Sequence, residues 1–142
     1  MGEESRSKVG LGVCVVKGNR VLFGKRKNTH GEGSWCFPGG HLEFNETWEE
    51  CARRETMEET GLKIKNLRFI TATNDIFEKE GKHYITIIIL ADCISGDPKI
   101  MESDKCEKWG WFEYGKQPQP LFISQQNLNK QGFNPFDKKY KN

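Results

Sequence analysis

The sequence lacks any long apolar run and any large excess of one charge. Its longest apolar stretch, residues 85–91, includes a threonine and falls far short of the roughly 20 residues that a membrane helix needs. Residues 1–8 contain no apolar core of a signal peptide. With 22 basic and 20 acidic residues, the net charge of +2 is too small for a typical nucleic-acid binder. We therefore expect no membrane association and no nucleic-acid polymer as the main ligand.

Paired cysteines and zinc-binding patterns are also missing. The cysteines number five, an odd count with long spacings, without a CxxC pair or a Cys/His cluster; they are Cys14, Cys36, Cys51, Cys93 and Cys106. This usage predicts reduced thiols in a cytoplasmic protein. The length of 142 residues fits one domain, since a single core usually serves about 100–200 residues. We expect one domain over residues 1–142.

The small net charge conceals an uneven distribution along the chain. Residues 39–62 contain seven glutamates and two arginines, a net charge of −5. The flanking segments 1–38 and 63–142 carry +4 and +3. A block of this size needs an explanation, because clustered like charges repel one another.

The residue pattern predicts several strands and two helices. Apolar or β-branched runs predict strands over residues 9–16, 20–27, 35–37, 62–77, 84–94 and 108–112. The first helix, residues 47–60, begins with a capping box formed by Thr47 and Glu50 and ends before Gly61. The second helix, residues 124–131, ends before Gly132.

One stripe of the first helix changes from apolar to acidic. Trp48, Cys51 and Ala52 predict a buried start, and three carboxylates follow at the same helical spacing: Glu55, Glu58 and Glu59. Like-charge pairs at this spacing cost about 0.2–0.5 kcal/mol each, and anions near a helix C-terminus cost about 0.3–1 kcal/mol. The ordinary interpretation is a solvated helix face. A divalent cation would instead turn these costs into ligation, and all-oxygen ligands favour Mg²⁺, with Mn²⁺ as a substitute.

Two short segments before this helix suggest an anionic ligand. Gly39 and Gly40 allow the backbone to approach a substrate or metal closely, although a simple tight turn is the alternative. Arg26 lies between two lysines and could bind phosphate oxygens in a two-pronged manner, although surface charge is the alternative.

Residues 40–62 resemble the Nudix box of the MutT/Nudix hydrolases, whose pattern is G-x5-E-x7-R-E-U-x-E-E-x-G-U with U a bulky aliphatic residue. Eight of the nine constrained positions fit, and Thr56 is the departure. Segments 24–27, 37–44, 120–122 and 132–136 further resemble the small MutT-type nucleotide pyrophosphatases, which are homodimers. The resemblance implies an α+β protein, an α/β/α sandwich with a central mixed β-sheet.

The resemblance also implies roles for the residues of the box. Glu55, Glu59 and the Gly40 carbonyl would bind Mg²⁺. Glu58 would be a third ligand or the catalytic base. Arg54 would orient the catalytic carboxylates. Glu46 would be structural and pair with Arg54, and Gly61 would end the helix.

Outside the box, the implied roles concern the substrate. Arg26 would contact its phosphates. A further catalytic glutamate would come from a later loop, with Glu102 and Glu107 as candidates and Glu107 preferred. Cys36 occupies a position where relatives often place Gln or Asn to read the base, and a thiol is a poor hydrogen-bonding group. Stacking surface for a base would come from Trp35, Leu121 and Phe122, each of which could equally be ordinary core.

These expectations favour Mg²⁺-dependent hydrolysis of a nucleoside triphosphate, canonical, oxidised or otherwise modified, to a monophosphate and pyrophosphate. An alternative keeps the same site for ADP-ribose, another nucleoside-diphosphate derivative or an isoprenyl diphosphate. A third possibility, of another class, is a non-catalytic domain that only binds a nucleotide. Silent members usually lose box carboxylates, and this sequence retains Glu55, Glu58 and Glu59.

Overall fold

A computed structural model describes residues 5–141. Seven strands form one mixed sheet in the order β3-β2-β1-β6-β5, with β4 paired to β1 and β7 paired to β2. The strands are β1 Lys8–Lys17, β2 Arg20–Arg26, β3 Trp35–Cys36, β4 Gly39–His41, β5 Ile64–Phe77, β6 Lys82–Cys93 and β7 Cys106–Glu113. The pair β1–β6 is parallel and the other pairs are antiparallel. The mixed sheet confirms the expected fold class.

Two helices cover opposite faces of the sheet. Helix α1, Trp48–Thr60, contributes Cys51 and Ala52 to one core cluster, together with Leu11, Val13 and Val15 of β1. Helix α2, Ile123–Lys130, contributes Leu128 to the other cluster, which includes Cys14. Because side chains alternate along a strand, β1 supplies both clusters and is buried on both faces. This layering is the predicted α/β/α sandwich.

The signals at the ends of α1 are used as the sequence predicts. The Glu50 amide donates to the Thr47 hydroxyl at 3.0 Å, and the Thr47 amide donates to the Glu50 carboxylate at 2.8 Å. Gly61 ends the helix with a φ of 74°, which a side chain would oppose. The expectation that Trp48 is buried is wrong. Its side chain is 43% exposed and packs on Phe69 at 5.3 Å between ring centroids, because the first turn projects beyond the core.

The shortest strands were the hardest to predict. The residue pattern predicts a strand that ends at residue 37, whereas Gly39–His41 also forms a strand, β4, and pairs with residues 10–12 of β1. Local propensity disfavours glycine in strands, so only the ladder with β1 makes this segment extended. Bulges interrupt β5 between Lys65 and Arg68 and between Phe69 and Thr71.

Two expectations about the chain as a whole can be compared with the described residues. Within residues 5–141, no helix is long and apolar enough to cross a membrane. All five cysteines are free thiols, with Cys14 and Cys51 fully buried.

Candidate active site

A cavity of about 480 Å³ lies where β4 and the acidic side of α1 meet strands β2, β5 and β6. Five glutamates line it: Glu43, Glu55, Glu58, Glu59 and Glu102. The wall also includes basic, aromatic and polar residues, among them Arg26, His30, Cys36, Asp75, Phe77, Tyr84, Thr86, Phe122, Ser124 and Gln125. The volume suits a small organic ligand.

The paired glycines of β4 let the backbone approach the acidic helix. The Gly39 amide donates to the Glu59 carboxylate at 2.8 Å. A side chain at Gly40 would collide with the Glu55 carboxylate, and one at Gly39 would collide with the Leu11 carbonyl. Gly39 is therefore required for close pairing with β1, and Gly40 leaves room for the Glu55 carboxylate of the helix; close backbone approach was one of two interpretations of the sequence alone.

Arg54 organises the carboxylates of the box. Its guanidinium makes a two-pronged ion pair with Glu46 at 2.6 and 3.0 Å. The same group donates to Glu55 at 2.6 Å and to Glu58 at 3.4 Å. The hydrogen bonds from Arg54 hold the pKa of Glu46 at about 2, below its ordinary value of 4.5. Glu46 is thus fixed as an anion that orients Arg54.

Burial raises the pKa of two carboxyl groups of the site above the ordinary value. Burial, together with the charges of Glu55 and Glu102, raises the pKa of Glu59 to about 8, against the hydrogen bond from the Gly39 amide. Burial also raises the pKa of Glu55, against the hydrogen bond from Arg54. Negative charge is therefore costly here, and a bound cation would offset that cost.

The donors fit a hard divalent cation, although they are not arranged as a finished site. Among residues 5–141, no three His, Cys, Asp or Glu side chains are grouped closely enough to hold a metal ion. Arg54 and the Gly39 amide occupy oxygens of Glu55 and Glu59. All the available donors are oxygens, which Mg²⁺ and Mn²⁺ prefer. The residues present therefore fit such an ion once these oxygens turn toward it.

Arg26 lies at the other side of the cavity against an aromatic ring. Its Nε donates to the His30 carbonyl at 2.8 Å, one terminal nitrogen donates to the Cys36 sulfur at 3.5 Å, and the guanidinium lies 4.0 Å from the Phe122 ring centroid. Burial, together with the charge of Arg26, lowers the pKa of His30 to about 4. Arg26 is therefore a positive charge held in place at this wall, beside a histidine whose lowered pKa favours its neutral form.

Not every predicted site residue lies at the cavity wall. Trp35 precedes Cys36 on β3 and points to the opposite face, where it packs on Phe112 at 5.3 Å between ring centroids. Leu121 is buried in the same cluster. Glu107 pairs with Lys25 at 3.5 Å and does not line the cavity, whereas Glu102, the other candidate, does. Gly61 and Glu46 lie outside the wall as supporting residues.

Sequence reasoning missed a polar and aromatic group contributed by β5, β6 and α2. It includes Asp75, Tyr84, Thr86 and Gln125. The only available signal was alternation in β5, which places Thr73, Asp75 and Phe77 on one face. A strand with polar residues on one face normally exposes that face to water, so the pattern by itself indicates no buried site.

With this geometry established, comparison with known proteins defines the class. The model of the NUDIX domain family matches residues 6–129. The chain belongs to the Nudix hydrolase family, whose members generally use divalent metal ions.

Particular relatives differ in the activity for which they are named. An oxidized purine nucleoside triphosphate hydrolase from Danio rerio is 38% identical over 106 residues, which cover 75% of this chain and 66% of that protein. An ADP-ribose pyrophosphatase from Methanocaldococcus jannaschii is 34% identical over 110 residues, which cover 76% of this chain and 63% of that protein. A NAD-capped RNA hydrolase from Edwardsiella ictaluri is 33% identical over 112 residues, which cover 75% of this chain and 39% of that protein. The chain thus spans less than two thirds of the length of these relatives.

A solved structure agrees over nearly its whole length. The MutT NUDIX hydrolase from Burkholderia pseudomallei has a TM-score of 0.80 and 32% sequence identity, with 87% of this chain and 97% of that chain covered.

Proposed function

We propose that this protein is a Mg²⁺-dependent nucleotide pyrophosphatase that converts a nucleoside triphosphate and water to a monophosphate and pyrophosphate. The observation that carries the proposal is one cavity lined by the box carboxylates, by Arg26 and by aromatic rings. Such a cavity offers groups for a cation, for phosphate oxygens and for a base. Canonical, oxidised and otherwise modified deoxynucleotides are the candidate substrates.

In this proposal, Glu55, Glu59 and the Gly40 carbonyl hold Mg²⁺, with Glu58 as a further ligand or as the base. When bound, the ion neutralises phosphate charge and makes water more acidic. Glu102 is the later glutamate that lines the cavity, and it takes the supporting role for which Glu107 was preferred from sequence.

The chain's own residues supply the remaining functions. Glu58 is half exposed and reached by Arg54, so its carboxylate is available to take the proton of the attacking water. Arg54 fixes the orientation of the glutamates, and Arg26 meets the phosphate oxygens. As the water oxygen bonds to phosphorus, the phosphoanhydride bond between the α- and β-phosphates breaks. The leaving group departs with the bonding electrons: it is pyrophosphate if the α-phosphorus is attacked and the nucleoside monophosphate if the β-phosphorus is attacked.

A second candidate is hydrolysis of ADP-ribose or another nucleoside-diphosphate derivative, including an isoprenyl diphosphate. It is supported by the 34% identical archaeal relative named for ADP-ribose. The same carboxylates would serve, because the bond cleaved is again a phosphoanhydride. A non-catalytic binding domain is the least favoured, since Glu55, Glu58 and Glu59 are all present.

The proposal further includes one domain over residues 1–142, a homodimer, a cytoplasmic location and small nucleotides rather than polymers as ligands. Family resemblance supports the dimer, and the cysteine usage supports a reducing compartment.

Glu55→Gln and Glu59→Gln test the proposed site. Each change removes a charged oxygen ligand, so we expect kcat/KM to fall at least about 100-fold, since even supporting residues of metal sites contribute about 10–100-fold. The measurement is Mg²⁺-dependent pyrophosphate release from a panel of nucleoside triphosphates, with nucleoside-diphosphate derivatives assayed for monophosphate release. Glu49→Gln, on the same helix and paired with Arg53, is the matched control and should keep normal rates. Near-normal turnover in either site variant would refute the metal assignment, and tight binding without turnover of any substrate would favour the non-catalytic alternative.

A further inference from the structure

A buried carboxylate lies in the cavity wall away from the Nudix box. Asp75 of β5 is 0% exposed and is held by neutral donors. The hydroxyls of Thr73 and Thr86 donate to its Oδ2 at 3.1 and 2.6 Å, and the Asn127 amide donates to Oδ1 at 2.9 Å. Within residues 5–141, no lysine, arginine or histidine lies within ion-pair distance of it.

This arrangement is costly if its purpose is only structural. Burying a carboxylate without a cation costs several kcal/mol, to the order of magnitude, and neutral donors recover only part of that cost. An asparagine at position 75 could satisfy the same threonines, whose hydroxyls both donate and accept, without burying a charge. The negative charge therefore has a use beyond holding the strands together.

The hydrogen bonds that Asp75 and Gln125 already make show which of their donors and acceptors remain free. A carboxylate oxygen accepts about two hydrogen bonds. Oδ2 of Asp75 has both, whereas Oδ1 has only the bond from Asn127. Gln125, 3% exposed, lines the same cavity; its side-chain oxygen accepts from Ser124, and its amide nitrogen has no partner within residues 5–141. One hydrogen-bond acceptor, Oδ1 of Asp75, and one donor, the amide nitrogen of Gln125, thus remain for a ligand.

Aromatic rings line the same cavity as these two groups. Phe77 lies 5.3 Å from Phe122 and 6.0 Å from Tyr84, measured between ring centroids. The His30 ring is stacked on Tyr84 at 5.7 Å with 5° between planes. Flat apolar surface next to a polar edge is the combination that recognises a nucleobase.

We infer that Asp75 is a specificity-determining residue that selects nucleobases bearing an exocyclic amino group, with Gln125 contacting the adjacent ring nitrogen. Adenine, cytosine and guanine each place an amino group next to a ring nitrogen that accepts a hydrogen bond. In uracil and thymine the ring N–H lies between two carbonyl oxygens, which a carboxylate repels. Hypoxanthine has no amino group at all. The inference deepens the proposed function, because it rests on the cavity's accepting nucleotides.

Nucleotide pairs that differ at one amino group test the inference directly. We expect the wild-type protein to hydrolyse the aminated member of its preferred pair, GTP over ITP, ATP over ITP or CTP over UTP, with at least about tenfold higher kcat/KM, the scale of a hydrogen bond to a charged group. Asp75→Asn should reduce this ratio to within about threefold, since a neutral amide oxygen accepts a hydrogen bond from an amino group more weakly than a carboxylate does and repels carbonyl oxygens less. Asp92→Asn, on the neighbouring strand and paired with Arg68, is the control and should keep the wild-type ratio.

Binding of the products separates this inference from the proposed hydrolysis. Calorimetry with GMP, AMP, IMP, CMP and UMP, without added metal, measures base selection in the absence of turnover. Preference for aminated monophosphates without hydrolysis of any triphosphate would support the inference and refute the proposed function. The inference is overturned if the wild-type protein shows a ratio near one in both assays. It is also overturned if Asp75→Asn weakens the binding of all nucleotides equally. If Asp75→Asn does not fold, two other measurements test the inference. The wild-type protein should still prefer the aminated nucleotide, and Gln125→Leu should reduce that preference.

Discussion

At the scale of single residues, Arg54 allows several carboxylates to coexist. It is the only residue in the structure's described part that forms ion pairs with four glutamates: Glu43, Glu46, Glu55 and Glu58. Glu46, 10% exposed, receives a two-pronged contact at 2.6 and 3.0 Å, while Glu58 remains half exposed. One positive charge thus fixes a structural carboxylate and leaves the others able to change partner.

The ion pair between Glu46 and Arg54 should make stability depend on acid pH. The pKa of Glu46 in the folded protein is about 2, below its ordinary value of 4.5, because of Arg54. A depressed carboxyl pKa contributes stability above about pH 4.5, and this contribution is lost as the pH falls toward 2. Glu46→Gln should therefore be less stable than wild type at neutral pH, with the gap closing below pH 4.5.

Urea unfolding of both proteins at several pH values between 2 and 7 measures this gap. Glu80→Gln, in the exposed turn between β5 and β6, provides a surface control. A gap that stays constant across this range would show that Glu46 does not act through its charge.

The two glycines of β4 should respond differently to one added methyl group. At Gly40 the methyl meets the Glu55 carboxylate, which is the end of a flexible side chain and can move. At Gly39 the methyl meets the Leu11 carbonyl, which cannot move because it is part of the β1–β4 ladder. Gly40→Ala should lose catalytic activity with nearly normal stability, whereas Gly39→Ala should lose about 1–3 kcal/mol of stability, the usual cost of overpacking.

Thermal unfolding and pyrophosphate release, measured on both variants, distinguish these outcomes. Equal loss of stability in the two variants would contradict the assigned difference between side-chain and backbone contacts.

At the scale of elements, α1 combines a structural and a chemical face. Cys51 and Ala52 pack into the core, and the turns that follow place Glu55 and Glu59 at the cavity. Thr56 occupies a core position of the same helix with its hydroxyl buried and without a hydrogen-bond partner within residues 5–141. This position is where the family pattern has an aliphatic residue.

Thr56→Val should therefore stabilise the protein. Valine has nearly the same shape and removes a buried hydroxyl whose unsatisfied state costs about 1–3 kcal/mol. Thr60→Val is the matched control: that hydroxyl donates to the Thr56 carbonyl at 2.6 Å and accepts from the Leu62 amide at 3.1 Å. Its loss should destabilise by roughly 1–2 kcal/mol. Denaturant unfolding of both variants measures the difference, and a destabilised Thr56→Val would show that its hydroxyl is satisfied in solution.

At the scale of the whole molecule, the acidic block and its basic flanks meet in one cavity. Glu55, Glu58 and Glu59 come from the block, and Arg26 comes from the preceding segment. The fold thus accepts repulsion among glutamates at a site where a cation and an anionic substrate would both be stabilised.

Divalent metal should consequently stabilise the entire fold. An ion that binds only the native state at 100 times its Kd adds about 2.7 kcal/mol, so Mg²⁺ should raise the unfolding temperature measured in EDTA by several degrees. Glu59→Gln removes a ligand and a buried carboxyl group whose pKa of about 8 makes its burial costly at neutral pH, so it should unfold at a higher temperature than wild type in EDTA and respond less to Mg²⁺. An identical Mg²⁺ shift in both proteins would show that the ion acts elsewhere.

Comparison of sequence and structure shows which features are local. Helix α1 was predicted to within one residue because its start and stop depend on neighbours three or four positions away. Strands β1 and β2 were predicted to within one residue from their apolar runs. Strand β4 was missed because its extended shape comes from pairing with β1, and Trp48 was misplaced because helical spacing does not reveal where the core ends.

The sequence by itself determined the family and the box residues, since these depend on spacing within one short segment, and the resemblance to that family implied the mixed-sheet sandwich. Only the tertiary structure decided that Glu102 lines the cavity while Glu107 does not, and that Trp35 faces the core while Cys36 faces the site. It alone brought Asp75 of β5, Thr86 of β6 and Asn127 of α2 together. These contacts join residues far apart in the chain, so their geometry depends on how the layers pack.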